Sequence, residues 1–300
     1  MKATKNFQGP FFVGLAAFLW ATDALVRYPA IETLDPSLIV FVEHVLAVLI
    51  LLPWVWSRFR KKIFALSLRE WIAAGFSGAA GSALATLFFT ASFRYVNPSV
   101  AILLQKLQPI MVVLIAYFFL GERPAKKFYY WGSIALAAGV VLSFPDLNFK
   151  FLRNGVDLHS IGIQYALGAA LIWAASTVSG KFLLKKTPPS LATFWRFFFG
   201  FVMLTLLLGL SHHLPTLNNL IYPEGTLTFL LYLSLVPGLC AMLSYYSGLS
   251  RTPASVTTFI ELLFPIGAVI LITVFLHTPL DSTQAAAGIV LLGAVTMLSI

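Results

Sequence analysis

The sequence predicts an all-α integral membrane protein, with ten transmembrane helices in two inverted five-helix repeats around a central cavity. Three observations lead to this prediction: the composition, the number of long apolar segments, and a match between the two halves of the chain. Of its 300 residues, 59% are hydrophobic and only 10% are charged. Soluble domains carry about 25% charged residues. The lipid bilayer is therefore the expected surroundings of this chain.

Ten segments of the chain are long and apolar enough to span a membrane, which takes about 20 residues as a helix. In short loops, an excess of lysine and arginine marks the cytoplasmic side. With the N-terminus inside, 14 of these residues fall on the cytoplasmic side and 4 on the outer side, so both termini are predicted to be cytoplasmic. The net charge of +9 is thus loop charge, and no nucleic acid partner is expected. The predicted spans are 10–28, 36–56, 71–93, 98–120, 127–144, 161–181, 190–210, 226–249, 253–276 and 283–300.

The two halves match when one is shifted by 153 to 156 positions on the other. The segment YVNPSVAILLQKLQPIMVVLIAYFFLGERP at 95–124 corresponds to LSRTPASVTTFIELLFPIGAVILITVFLHTP at 249–279. Five helices per half is an odd number, so the second half must be inserted upside down. We expect residues 1–146 to form the first repeat, 147–160 a linker, and 161–300 the second repeat.

The fourth helix of each predicted repeat carries a proline near its middle. These prolines, Pro109 and Pro265, align with each other, and each follows a polar side chain by one turn, Gln105 or Glu261. Proline removes a backbone hydrogen bond from a helix, so we expect both to act as hinges. Interrupted helices at matching places in two halves are typical of a central solute site.

Ionisable side chains inside a membrane span are costly and usually face a cavity or a partner. The spacing of Asp23 and Arg27 predicts either an ordinary pair near the outer interface or a place at a cavity mouth. For His44 we expect packing or a hydrogen bond. The ionisable candidates are Asp23, Glu43, His44, Lys106, Arg196 and Glu261.

Glu43 aligns with Arg196 in the other half, so two opposite charges occupy matching positions. Glu43 is either half of an ion pair, with Arg196 or Lys106, or a proton or substrate site. Because an unpaired charge in a low-dielectric interior costs several kcal/mol, we expect Glu43 and Arg196 to be electrostatically linked, either directly or through water in the cavity. Lys106 either reaches the outer surface or pairs with Glu261.

The candidate cavity residues combine aromatic rings, amides, a hydroxyl and charges. The aligned pair Trp20 and Trp173 forms either a cavity wall or a helix contact. No phosphate-binding loop, zinc-protease motif or cluster of cysteine and histidine occurs in the sequence, so neither an enzyme, a metal nor a cofactor is expected. The predicted substrate-cavity residues are Trp20, Glu43, Gln105, Gln108, Trp173, Arg196, Tyr245, Thr257 and Glu261.

Two short motifs resemble a known family. The sequences AAFLWA at 16–21 and FFLGERP at 118–124, on ten predicted helices in two halves, resemble the drug/metabolite transporter superfamily. Within it, the chain is most similar to EamA-type proteins and to bacterial YddG-like amino-acid exporters. The resemblance implies export of amino acids, aromatic or other neutral ones, or of related small metabolites across the bacterial inner membrane by alternating access. It also implies a central cavity lined by helices one to four and six to nine.

Other classes of function predict other patterns. A drug or nucleotide-sugar carrier of the same superfamily is the main alternative. A channel needs rings of like groups along a pore, and the scattered opposite charges do not form them. A membrane enzyme needs a clustered acid/base or metal set, which the sequence lacks. The expected partners are a small amino-acid-like substrate and the bilayer, with the chain as a monomer or homodimer.

Overall fold

The computed structural model describes residues 8–120, 125–148, 156–210, 225–252, 256–257 and 260–299, and these residues form helices and turns without a strand. The predicted linker 147–160 is described in part, and residues 121–124 of the FFLGERP sequence lie outside these ranges. The α-helices are Gln8–Ala21, Asp23–Ala30, Pro36–Phe59, Leu68–Gly78, Ala85–Ser92, Pro98–Leu104, Gln108–Leu120, Lys126–Ser143, Leu158–Leu183, Pro189–Leu210, Thr226–Leu233, Ala241–Leu249, Leu263–Phe275 and Ser282–Ser299.

Within the described residues, seven helical stretches are long and apolar enough to cross a membrane. They are Gln8–Ala30, Pro36–Phe59, Leu68–Ser92, Pro98–Ile115, Leu158–Leu183, Pro189–Leu210 and Thr226–Leu249. The predicted spans 127–144, 253–276 and 283–300 overlap helices that are not among these seven. An all-helical membrane protein is therefore supported, and the count of ten spans stays a prediction.

Two of the predicted helix starts are fixed by a capping residue followed by proline. The side chain of Asp35 accepts a hydrogen bond from the Ser37 amide at 2.9 Å, and Asn97 does the same for the Ser99 amide at 2.8 Å. Such caps satisfy amides that have no partner in the first helical turn, and proline fits the first helical position because it lacks an amide hydrogen. The local sequence thus sets where these helices begin.

The third helix of each half is interrupted by a π-helix at the corresponding place. The first is Ala79–Leu84, within Leu68–Ser92, and the second is Ser234–Cys240, within Thr226–Leu249. A π-helix widens the helical turn and is frequent at functional sites. Neither interruption was predicted from the sequence.

Helices of the two halves pack reciprocally. The first helix of each half contacts the third helix of the other half, and the second helices contact each other, as do the fifth helices. The contacting helices are Gln8–Ala21 with Ala241–Leu249, Leu158–Leu183 with Ala85–Ser92, Pro36–Phe59 with Pro189–Leu210, and Lys126–Ser143 with Ser282–Ser299. This exchange is what a twofold relation between the halves would produce, and the inverted orientation itself stays a prediction.

Small residues bring the third helix close to its neighbours. A methyl group added at Gly81 would overlap the side chain of Ser176, and one added at Gly78 would lie 2.6 Å from the carbonyl oxygen of Arg196. Glycine at both positions therefore allows close backbone approach between helices. The consequence is that the Gly81 carbonyl group lies beside the Arg196 side chain.

Candidate functional site

A cavity lies between the two halves and holds about 1210 Å³ of empty space, its opening included. The lining comes from helices one to four and six to nine, as the resemblance implies. One residue from each of them in chain order is Trp20, Glu43, Ser82, Gln105, Trp173, Arg196, Tyr245 and Glu261.

Eight of the nine predicted cavity residues lie at the cavity wall. Thr257 is the exception: it is buried, but it is not one of the lining residues. The role of each residue in binding stays a prediction. The eight lining residues are Trp20, Glu43, Gln105, Gln108, Trp173, Arg196, Tyr245 and Glu261.

A buried charge cluster joins the first and second helices. Arg27 Nε lies 2.6 Å from Asp23 Oδ2, and Arg27 Nη2 lies 2.7 Å from Asp23 Oδ1 and 2.5 Å from Glu43 Oε1. Arg27 Nη1 donates to Thr90 Oγ1 at 3.0 Å, which ties in the third helix. Two carboxylates thus share one guanidinium, whose planar fork suits paired carboxylate oxygens. The formal charge of the cluster is minus one.

Among the described residues Glu43 forms no ion pair with Arg196 or Lys106, so the direct form of the expected pairing is wrong. Glu43 pairs with Arg27, because the helical turn that carries Asp23 and Arg27 faces Glu43 across the interface between the first two helices. The Asp23–Arg27 pair itself was expected, and it is buried rather than exposed at an interface. Matching positions in two repeats therefore did not identify the contact.

Arg196 is held by neutral groups of three other helices. Its Nη1 donates to Ser77 Oγ at 3.0 Å and to Ser176 Oγ at 2.9 Å, and its Nη2 donates to the Gly81 carbonyl at 2.9 Å. Tyr246 OH lies 3.5 Å from Nη1. No carboxylate forms an ion pair with Arg196 among the residues that the structure describes. A buried positive charge therefore borders the cavity.

Two glutamines of the fourth helix line the cavity one turn apart. Gln108 Nε2 donates to Thr177 Oγ1 at 3.2 Å. Gln105 lies in the short 3₁₀ segment Gln105–Leu107, and its Nε2 is buried without a hydrogen-bond partner within the described part of the chain. Buried amide groups are usually hydrogen-bonded. Gln105 thus carries an unpartnered donor that is buried within the cavity wall.

Lys106, Tyr245 and Glu261 form a second polar group. The Glu261 carboxyl group lies close enough to the Tyr245 hydroxyl and to Lys106 to interact electrostatically with both. Lys106 Nζ also lies 5.2 Å from the centre of the Phe264 ring, a distance at which a cation and an aromatic face attract each other. Lys106 therefore faces the cavity and Glu261 rather than the outer surface.

Aromatic rings form two walls of the cavity. The Trp20 ring centre lies 5.1 Å from that of Tyr245 and 6.3 Å from that of Phe264. In the other half, the Trp173 ring centre lies 5.4 Å from that of Phe89. Rings at these separations pack against one another and offer flat apolar surface. Both tryptophans combine helix packing with a place at the cavity wall.

The proline-containing helices are interrupted just before each proline. In the first half, the 3₁₀ segment Gln105–Leu107 separates Pro98–Leu104 from the helix that contains Pro109. In the second half, Glu261 lies in a turn before the helix Leu263–Phe275, which contains Pro265. The backbone breaks thus coincide with cavity-lining residues, and hinge motion at either proline stays a prediction.

Several cavity groups were missed or left open by sequence reasoning. His44 Nδ1 donates to the Val40 carbonyl at 2.7 Å, and its Nε2 lies 2.9 Å from Ser82 Oγ, which agrees with the expected hydrogen bond. Ser77 and Ser176, which hold Arg196, gave no signal because single serines are common in membrane helices. In the described residues, no group of three or more His, Cys, Asp or Glu side chains is arranged to hold a metal ion.

Comparison with known proteins shows which family and which solved structure this chain resembles. The model of the EamA-like transporter family matches residues 7–144 and 160–300. The riboflavin transporter ImpX of Fusobacterium nucleatum subsp. nucleatum is 27% identical over 98% of both chains. The uncharacterized transporter YwfM of Bacillus subtilis is 25% identical over 94% of this chain and 90% of its own. A crystal structure of a protein with 19% sequence identity matches with a TM-score of 0.66, over 96% of this chain and 95% of that one.

These similarities confirm the coarser part of the resemblance. The family model covers nearly all of both halves, and both relatives described above are named as transporters. The similarity to amino-acid exporters in particular stays a prediction. The chain belongs to the EamA-like transporter family, within the drug/metabolite transporter superfamily.

Proposed function

We propose that this transporter exports small amphipathic metabolites across the bacterial inner membrane, and that aromatic or other neutral amino acids are its main substrates. One observation carries the proposal: the cavity has aromatic walls and bordering groups of both charges. The cluster of Asp23, Arg27 and Glu43 has two carboxyl groups for one guanidinium, whereas Arg196 has no paired carboxylate in the described residues. A zwitterion with an aromatic side chain complements all three features.

Transport would proceed by alternating access, with the two halves rocking about the cavity. Two features support this mechanism. The cavity is lined by helices from both halves, and the fourth helix of each half is interrupted beside it. Interrupted helices at matching positions expose backbone groups and provide flexible joints.

Riboflavin is the second candidate substrate. The observation that favours it is the similarity to the riboflavin transporter ImpX, which extends over nearly the whole chain. A flavin ring is planar and would pack against the rings of Trp20 and Trp173. Riboflavin carries no charge, however, so it would leave the charged groups at the cavity wall without a partner.

Counterflow in liposomes that contain only this protein tests the proposal. Vesicles preloaded with unlabelled phenylalanine should accumulate labelled phenylalanine transiently and saturably. Accumulation of riboflavin in its place would favour the second candidate, and flux that never saturates would indicate a channel.

Trp20→Ala should weaken the apparent affinity for the solute, because each aromatic pair contributes about 0.5–1.5 kcal/mol beyond buried area. Trp54→Ala is the matched control, since Trp54 is 47% exposed and away from the cavity.

A further inference from the structure

We infer that Arg196 and Gln105 form a subsite that binds the carboxylate group of the transported solute. This inference rests on the proposed function in one respect: it assumes that the solute occupies the cavity between the two halves. It adds the chemical class of the bound group and the atoms that recognise it.

Arg196 differs from the other cavity cations in its surroundings. Arg27 contacts two carboxylates, and Lys106 interacts with Glu261. Arg196 is only 7% exposed, and in the described residues its partners are hydroxyl and carbonyl groups of the protein. Neutral dipoles can hold a guanidinium in place, but they do not cancel its charge. An anion that enters the cavity would therefore gain more from Arg196 than from Arg27, whose charge two carboxylates already offset.

A free donor remains on the Arg196 guanidinium. Its Nε is buried and has no hydrogen-bond partner among the described residues, whereas Nη1 and Nη2 are engaged. Three helices thus fix the orientation of the plane and leave one edge of the fork unused. A carboxylate carries two acceptor oxygens and is the usual partner of such an edge.

Gln105 supplies a second free donor to the same cavity. It is 7% exposed, and its Nε2 is also without a partner within the described ranges. Unsatisfied buried donors are rare, because each loses its bonds to water on burial. Two such donors beside one cavity would best be satisfied by a ligand group that only accepts hydrogen bonds. A carboxylate is such a group.

The sixth helix connects these donors to an aromatic wall. Ser176 binds Arg196, and the next residue, Thr177, binds Gln108 of the fourth helix. Trp173 lies one turn before both and also lines the cavity. Side chains three or four residues apart share a helix face. A solute whose carboxylate contacts Arg196 would therefore place its apolar part beside Trp173.

The test compares two ligands of the same shape on the purified full-length chain in detergent. The probes are 3-phenylpropionate, which has a carboxylate, and 3-phenylpropionamide, which is uncharged. Tryptophan fluorescence reports binding, since Trp20 and Trp173 line the cavity. The wild type should bind the carboxylate at least roughly tenfold more tightly than the amide, the size expected for hydrogen bonds to a charged group.

Three variants locate the origin of this preference. Arg196→Gln should abolish it, because the charge and the Nε donor are both removed. Gln105→Leu removes an amide that has no partner among the described residues, so it should fold, and it should reduce the preference about fivefold, because a donor bonds a charged carboxylate more strongly than the neutral carbonyl of the amide. Arg94→Gln is the matched control outside the cavity, and its preference should equal that of the wild type.

Two results would overturn the subsite. The first is a wild type without preference for the carboxylate. The second is a folded Arg196→Gln variant that prefers the carboxylate ligand as strongly as the wild type does. If Arg196→Gln does not fold, the same result in Gln105→Leu would overturn the subsite. A purely structural role of Arg196 predicts that both ligands weaken together, so their ratio separates the two roles. Failure of the proposed function would give a different result. The preference for the carboxylate ligand would still depend on Arg196, but neither amino acids nor riboflavin would show counterflow.

Discussion

Arg27 and Glu43 form a buried ion pair between the first and second helices, with 2.5 Å between Arg27 Nη2 and Glu43 Oε1. Asp23 shares the same guanidinium, and Thr90 of the third helix binds its remaining nitrogen. The side chains of Arg27 and Glu43 are 5% exposed and that of Asp23 is 13% exposed. One arginine thus connects three helices at the cavity wall and decides which charges of the cavity are compensated.

The first prediction is that Glu43 is energetically coupled to Arg27 and not to Arg196. A double-mutant cycle with Glu43→Gln and Arg27→Gln should give an interaction energy of about 0.5–3 kcal/mol, the range for residues in contact. The cycle of Glu43→Gln with Arg196→Gln should be additive within about 0.5 kcal/mol. Thermal unfolding of the purified protein in detergent measures both cycles.

The single variant Arg27→Gln should be the most destabilised of this group. It leaves two buried carboxylates without a cation, and removal of one partner of a buried pair costs about 3–5 kcal/mol. Arg94→Gln provides the comparison, because Arg94 pairs with Asp35 at 3.6 Å near the surface and such pairs contribute about 0–1 kcal/mol. Equal unfolding temperatures for the two variants would contradict the buried cluster.

Gly81 should not tolerate a larger residue. An added methyl group would overlap Ser176, so Gly81→Ala must push the third and sixth helices apart, at about 1–3 kcal/mol. Because the Gly81 carbonyl accepts a hydrogen bond from Arg196, the preference for carboxylate ligands should fall as well. Unfolding and ligand binding measure the two effects.

Gly75→Ala is the matched control on the same helix. No atom outside its own helix neighbourhood lies within 4 Å of a methyl group added at Gly75. Alanine is a better helix former than glycine by about 0.8–1.0 kcal/mol, so this variant should be as stable as the wild type or slightly more so. If both alanine variants behave alike, close approach at Gly81 is not required.

The central prolines should affect transport more than folding. Pro109→Ala and Pro265→Ala restore a backbone donor to each interrupted helix and should straighten it. We expect normal expression in both variants and a severalfold slower counterflow. Unchanged flux in both would show that the prolines are packing features without a role as hinges.

The orientation of the chain is open to a labelling experiment. Both termini are predicted to be cytoplasmic, because basic residues are concentrated in the loops on that side. In a background without Cys240, an impermeant thiol reagent applied from outside should react with cysteines placed at Asn154 and Asn219. Cysteines placed at Lys61 and Lys126 should be protected, and labelling at Lys61 would refute the proposed topology.

The membrane class, several helix starts and most of the cavity residues of this protein could be predicted from its sequence alone. The apolar composition indicated a membrane protein, caps such as Asp35–Pro36 set helix starts, and the repeat located the two interrupted central helices. Eight of nine candidate residues lie at the cavity because polar and aromatic side chains at mid-helix avoid lipid. Helix starts depend on the preferences of a few neighbouring residues, and membrane spans depend on how favourably each side chain moves from water to lipid. Both properties can be read directly from the sequence.

Only the tertiary structure decided which of these residues meet. The partner of Glu43 depends on how the first and second helices are rotated about their axes, and repeat alignment favoured Arg196 where geometry gives Arg27. The neutral groups that bind Arg196 come together because two helices approach closely at Gly81. The serines among these groups belong to no recognisable sequence motif. Such contacts arise from packing among distant segments, and no local sequence feature fixes their geometry.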